Sequence, residues 1–279
     1  MKKEKKFSLS KIFIYFSLCG ATLISIIPIL VVFIASFKTN DELMNTGGLE
    51  LPQNLLNFDN YVTAFIDGKM LLGFVNTCFI LIFSVVATIL TGTMTAYILN
   101  RFNFKGKKII TTLFLVASLV PSITMQMSTF QIIVGMHLFN TIWSTIILFA
   151  GTDIISIYIF VQFLENISIS VDEAAIVDGA SYFTVFIKIL MPLLKPAIAT
   201  VLILKGVTFY NEFYTPYLYM PGNKLAVIST ALFRFKGPYN TRWEVICAGI
   251  IITMIPALIV FLLLQKSIYN GLTAGSIKE

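Results

Sequence analysis

One histidine and three cysteines among 279 residues leave this chain almost no imidazole or thiol with which to hold a metal or carry redox chemistry. His137 stands alone, with no Cys, His or carboxylate at ligand spacing, and reads as an interfacial polar residue. Cys19, Cys78 and Cys247 form an odd set, each inside an apolar run where a free thiol behaves as a small hydrophobe, so no disulfide is expected. A nucleotide-cradling loop is missing too. Gly106-Lys107-Lys108 lacks the preceding glycine and the following hydroxyl residue that such a loop needs. No nucleophile–base pair stands out, so the chain is expected not to be an enzyme and to bind neither metal nor cofactor itself.

Charge is equally scarce. Only 12% of residues are Asp, Glu, Lys or Arg, while 57% are hydrophobic and the mean hydropathy is +0.87, which excludes an ordinary water-soluble domain. A helix needs roughly 20 mostly apolar residues to cross the hydrocarbon core of a bilayer. Six runs qualify, over residues 12–37, 71–99, 109–134, 141–164, 197–217 and 245–264. The expected fold is an all-α membrane protein with six transmembrane helices. Its first run is too long for a cleavable signal and contains no small-residue cleavage site, so it is expected to remain as an anchor.

Orientation follows from the flanks. Lys2, Lys3, Lys5 and Lys6 precede the first run, and Arg101, Lys105, Lys107 and Lys108 separate the second from the third, which puts both flanks in the cytoplasm. Residues 38–70 carry Asp41, Glu42, Glu50, Asp59 and Asp67 against Lys38 and Lys69, as suits an outside loop. The connection between the fifth and sixth runs, with Lys224, Arg234, Lys236 and Arg242, breaks the charge rule, and the early flanks decide the assignment. Both termini, residues 1–11 and 266–279, are then cytoplasmic. The formal charge of +6 serves topology and anionic lipid, because no aromatic-interleaved basic patch points to nucleic acid.

Three ionisable residues fall inside the expected spans: Asp153, Lys205 and Glu212. A charge in the hydrocarbon must face the bundle interior, a wet path or an interface. With Asn211 beside Glu212, they are candidates for a translocation pathway. Equally, Asp153 and Glu212 would lie at helix ends, or Lys205 would pair with an acidic neighbour for structure alone.

A partly polar segment, residues 170–196, is lodged between the fourth and fifth runs. Ser170-Val171-Asp172-Glu173 has the form of a capping box and predicts a helix start at Ser170. Gly179 is suited to the left-handed turn that ends this helix, and Ser181 is placed to cap a second. Phe183, Phe186, Ile187 and Leu190 fall on one face of that second helix, and Pro192 is expected to close it. The segment is either an ordinary interfacial hairpin or a docking element.

The spacing of Glu173, Ala174, Ala175, Gly179 and Pro192 resembles the EAA loop of binding-protein-dependent ABC importer permeases. Further landmarks follow in order: Ile27-Pro28, Ser36-Phe37-Lys38, Phe74-Val75-Asn76-Thr77, Ala96-Tyr97, Arg101-Phe102-Asn103-Phe104-Lys105-Gly106, Val120-Pro121, Asn140-Thr141, Asn211-Glu212-Phe213 and Gly271-Leu272-Thr273-Ala274-Gly275. Together they are similar to the maltose-type carbohydrate uptake branch, and to its smaller, second permease subunit. Lys205 and Asp153 depart from the pattern, which is usually apolar or small there.

That resemblance implies a type I ABC importer permease fold, with a core domain over residues 71–265 and cytoplasmic EAA coupling helices. It implies a heterodimer with a second permease, a dimer of ATP-binding subunits that alone uses ATP and Mg, and an extracytoplasmic sugar-binding protein. The location is the cytoplasmic membrane of a bacterium. The transported solute is a sugar, of oligosaccharide size. Glu173, Ala174, Ala175, Asp178, Gly179 and Pro192 become the ATPase-coupling residues. Two alternatives stand: an ABC permease for a non-sugar solute, and an ion-coupled secondary transporter using Asp153, Lys205 and Glu212. Against the second, no inverted pair of broken helices with matching interruptions is seen.

Overall fold

The computed structural model describes residues 9–151, 153–237 and 241–274. Within them the helices are α1 Leu9–Ala35, α2 Asn40–Asn45, α3 Asp59–Asp67, α4 Met70–Arg101, α5 Lys107–Leu119, α6 Ser122–Gly135, α7 Ile142–Ala150, α8 Ile154–Glu165, α9 Ile169–Val177, α10 Tyr182–Leu193, α11 Lys195–Asn211, α12 Tyr214–Tyr219, α13 Ile228–Ala231 and α14 Trp243–Ala274. The N-terminal lysines and Gly275, which entered the sequence expectations, lie outside the described residues.

Three segments are long and apolar enough to cross a bilayer unaided: Phe13–Ala35, Met70–Arg101 and Trp243–Leu263. The other three expected spans are not single helices. The run at 109–134 breaks at Val120-Pro121, where α5 and α6 meet at 106°. Pro121 has no amide to continue the ladder, and it holds Val120 in an extended conformation with ψ 121°. The run at 141–164 divides at Gly151 into α7 and α8, bent by 40°. Near that break the Thr88 hydroxyl donates to the Ser84 carbonyl at 2.8 Å and to the Phe149 carbonyl at 3.3 Å, which bonds backbone that lipid would leave unsatisfied. The fifth crossing is α11, bent by 72° from α10 before it, and it ends at Asn211 rather than residue 217. Had α11 run on, the Pro216 ring would have met the Glu212 carbonyl.

The chain forms two compact units. One comprises residues 1–70 and 231–256. Here α1 is apolar all round, and Phe13, Phe16 and Ile24 stand at least 73% exposed, as befits a helix solvated by lipid. Beyond its end, Asn60 donates to the Ser36 and Lys38 carbonyls at 3.0 and 2.8 Å. Lys38 is fully buried, its ammonium donating to Thr46 Oγ1 at 2.7 Å and the Gly47 carbonyl at 2.8 Å. Thr39 and Glu42 form a reciprocal capping box on α2. The amides of Thr39 and Gln53 hold the Glu42 carboxyl below its ordinary range by bonding its charged form. Leu232 packs so closely on α14 that a Cβ at Gly249 would sit 2.1 Å from its Cδ2, so any larger residue there would have to turn the Leu232 side chain aside.

The second unit comprises residues 71–230 and 257–279. Its core runs from Val85, Ala96 and Tyr97 on α4 through Phe160 and Leu164 on α8 to Val185 and Leu190 on α10, Leu194 at the joint and Val201 on α11. Consequently the segment between the fourth and fifth crossings shares one core with the membrane helices.

Candidate coupling and translocation sites

Two short helices, α9 and α10, build the candidate coupling segment around a sharp turn. Gly179 has φ +89°, and the Ala180 and Gly179 amides donate back to the Ala175 and Ile176 carbonyls at 2.9 and 3.0 Å. That pair of bonds is the Schellman ending that glycine permits. Ser181 then caps α10 by accepting from the Thr184 amide at 3.2 Å, as expected.

The expected start of α9 is corrected. The cap is Ser168, whose hydroxyl accepts from the Ser170 amide at 3.3 Å, and no Ser170–Glu173 capping box forms. Asp172, not Glu173, supplies the first-turn carboxylate that matters, and it points inward. Its Oδ2 takes the Arg101 Nε at 2.9 Å, with the two side chains only 8% and 6% exposed. Arg101 also donates to Asn100 Oδ1, to the Leu164 carbonyl and to the Ile167 carbonyl, at 2.9, 3.3 and 2.8 Å. One guanidinium at the end of α4 thus holds the end of α8 and the start of α9. In the sequence Arg101 served as a topology flank and as part of a family landmark; an acid in the first turn and an arginine at a helix end were visible, but not their meeting.

A second correction concerns α10. Residues Val185–Leu190 form a π turn, and the helix passes through Pro192 to Leu193 instead of stopping there. The Met191 amide bonds the Phe186 carbonyl in the wider pattern, and Pro192 offers no amide for the next such bond, so the π pattern ends at the proline. Widening the turn also changes the buried face to Val185, Phe186 and Leu190, while Phe183 and Ile187 are 66% and 46% exposed. Tyr97 stacks on Phe186 with centroids 5.4 Å apart. Of the expected coupling residues, Glu173, Ala174, Asp178, Gly179 and Pro192 are exposed, whereas Ala175 is buried in the chain's own core. Val177, Tyr182 and Phe183 join the exposed ones in an apolar surface.

The pathway candidates form two groups. Asp153 precedes α8 at the break in the fourth crossing, and its Oδ2 accepts from Lys205 Nζ of α11 at 2.7 Å and from the Ser156 hydroxyl. Both charged side chains are mostly buried, at 16% and 17% exposure. Asn211 ends α11 and donates to the Val207 carbonyl at 3.0 Å. Glu212 follows it outside the helix, where its carboxylate accepts from the Thr215 amide at 3.1 Å and its carbonyl accepts from the Ser229 hydroxyl at 2.8 Å. It lines a small cavity with Thr77, Tyr210 and Ser229, beside the stacked rings of Phe149 and Phe209. Cys19 and Cys78 are exposed rather than buried, and are free.

Comparison with known proteins matches this geometry. Residues 88–273 fit the family described as binding-protein-dependent transport system inner membrane component. The chain is 30% identical over 257 residues to the arabinooligosaccharides transport system permease protein AraQ of Halalkalibacterium halodurans, covering 91% of this chain and 92% of the relative. It is also 30% identical to the probable starch degradation products transport system permease protein AmyC of Thermoanaerobacterium thermosulfurigenes, covering 92% and 93%. Its fold matches, with a TM-score of 0.81 and 22% identity, a chain in the crystal structure of a bacterial ABC transporter involved in the import of the acidic polysaccharide alginate, over 94% of this chain and 99% of that one. With its broken crossings and its helical turn between the fourth and fifth, the chain has the type I ABC importer permease fold and belongs to the binding-protein-dependent transport system inner membrane components.

Proposed function

We propose that this chain is one of two permease subunits that carry an oligosaccharide inward, powered by ATP hydrolysed on separate subunits. The observation carrying this reading is the coupling segment itself: a rigid helical turn, keyed by Arg101 to two membrane helices, that exposes an apolar face edged by Glu173 and Asp178. Such a face on a helix pair packed into the membrane core suits an ATPase whose movement must reach the solute path. The printed names of the relatives, for arabinooligosaccharides and starch degradation products, support sugar as the solute class. The route is assigned to the broken helices around Asp153, Lys205, Asn211 and Glu212, where polar side chains gather at the helix ends. The test is reconstitution with the second permease, the ATPase pair and the sugar-binding protein. Uptake of a labelled oligosaccharide that depends on ATP and on the binding protein is expected, and its absence with every panel sugar would remove the substrate assignment.

In this reading both termini and the coupling segment face the cytoplasm. Cysteines introduced at Lys5, Ser181 and Lys236 and probed with an impermeant thiol reagent in intact cells should react only at position 236; labelling at 181 from outside would reverse the topology. A second expectation concerns the turn. Nothing lies within 4 Å of a Cβ built on Gly179, so the cost of Gly179→Leu begins with its left-handed backbone, at roughly 1–2 kcal/mol. With Glu173→Lys, which reverses an exposed charge, it should yield a permease pair of normal abundance that binds the ATPase poorly and lacks substrate-stimulated hydrolysis. Wild-type stimulation in both variants would detach this turn from coupling.

A further inference from the structure

The unit that contains residues 38–70 has a polar cleft of about 280 Å³, lined by Asn40, Asn57, Asp59, Arg242 and Glu244 among others. Two oxygens there are buried without a hydrogen-bond donor, Glu244 Oε2 and Asn40 Oδ1. The Glu244 side chain is 3% exposed, and its other oxygen accepts from Arg242 Nε at 3.0 Å. Both orphans are acceptors. Leaving a buried acceptor unpaired is costly, so the cleft is built for something that donates. Two carboxylates, Asp59 and Glu244, against one guanidinium leave it a formal charge of −1.

We propose that this cleft is a socket for a protonated primary amine, presented as a lysine side chain by the solute-binding protein when it docks. The proposal rests on the importer reading above and on residues 38–70 facing outward. An ammonium is compact, carries a single positive charge and has three donors, enough for both orphan oxygens and for the Asp59 carboxylate. An arginine guanidinium is a larger planar fork with fixed donor directions, whereas the three donors of an ammonium turn freely at the end of a flexible stem. A divalent metal fits worse. No group of three or more His, Cys, Asp or Glu able to hold one occurs among the described residues, and the Arg242 guanidinium already occupies one oxygen of Glu244. Asn57 and Asn60 hold the floor in place through the Phe37, Ser36 and Lys38 carbonyls, while the half-exposed Arg242 side chain at the mouth must shift for an amine to reach the two buried oxygens.

The test uses the assembled transporter in lipid nanodiscs and its purified binding protein. That protein is prepared untreated, with lysines acetylated to remove their charge, or with lysines reductively methylated to keep it. Acetylation should weaken capture by the wild-type transporter about tenfold or more, and methylation should weaken it less. Glu244→Gln should weaken capture of the untreated protein similarly and abolish the further effect of acetylation. Asp59→Asn, at an exposed position, makes the same comparison should Glu244→Gln fail to assemble. Added ethylammonium should compete with the untreated protein. Full capture of acetylated protein, an acetylation effect undiminished in both variants, or a calcium dependence lost in Glu244→Gln would each overturn the proposal while leaving the importer reading intact. No capture of any form by the wild-type transporter would overturn both.

Discussion

Arg101→Met is expected to abolish sugar uptake and substrate-stimulated ATP hydrolysis, the largest effect of any single replacement outside the solute route. The guanidinium makes four hydrogen bonds, to Asp172, Asn100 and the carbonyls of Leu164 and Ile167. Removing it strands a carboxylate that is 8% exposed and whose Oδ1 already lacks a partner. Breaking a buried pair from one side costs about 3–5 kcal/mol, enough to loosen α9 from the end of α4 without unfolding long apolar helices held by lipid. The variant should insert and assemble, yet proteolysis between residues 166 and 181 should quicken. Arg101→Lys should not rescue it, because an ammonium cannot reach a carboxylate and two carbonyls with one planar fork. Uptake within twofold of wild type in Arg101→Met would show that the coupling segment needs no such key.

Asp153→Leu should cut uptake at least tenfold and lower the abundance of the permease pair. It leaves Lys205 charged on α11 with no carboxylate at 2.7 Å, and an unpaired charge inside a span costs roughly 2.5–3.5 kcal/mol on insertion scales. The informative variant is the double replacement Asp153→Asn with Lys205→Met, which removes both charges and keeps a hydrogen-bond partner for the Ser156 hydroxyl. Replacing a buried pair by neutral groups is often harmless. Abundance and most uptake should therefore return, as expected of a pin between α8 and α11. Normal abundance with uptake still lost would instead make the pair a direct contact for the solute.

What could be read from the sequence was local. Apolar runs located the three long helices and the bent helix pairs, and Gly179 and Ser181 announced the turn because each acts on its own backbone neighbours. The capping box failed at Ser170 for want of a deciding neighbour: Ser168, two residues earlier, took the role, and Asp172 was drawn inward by Arg101. The same Ser/Thr-x-x-Glu pattern did form at Thr39–Glu42, where no inward pull competes. Breaks in the crossings were signalled by Pro121, Gly151 and Pro216, yet hydropathy averaged over a window passes across them. The π turn left no local trace, since it depends on which side chains the core of α4 and α8 accepts. Nor could Asp153 and Lys205 be joined from spacing, being 52 positions apart in the chain and adjacent only after α8 and α11 pack.

The 72° elbow between α10 and α11 changes the direction of any force that the coupling segment receives. A thrust along α10 reaches α11 almost wholly as a sideways shove, because so little of one axis projects on the other. A straight helix would have slid lengthwise past its neighbours, dragging its whole row of side chains up or down a turn. In the proposed coupling the Lys195 end of α11 would swing across instead, and Lys205, ion-paired to Asp153, would carry that residue and the joint at Gly151 with it. Displacement at the proposed docking turn would thereby become sideways rearrangement at the broken ends, with no helix having to lengthen, shorten or unwind.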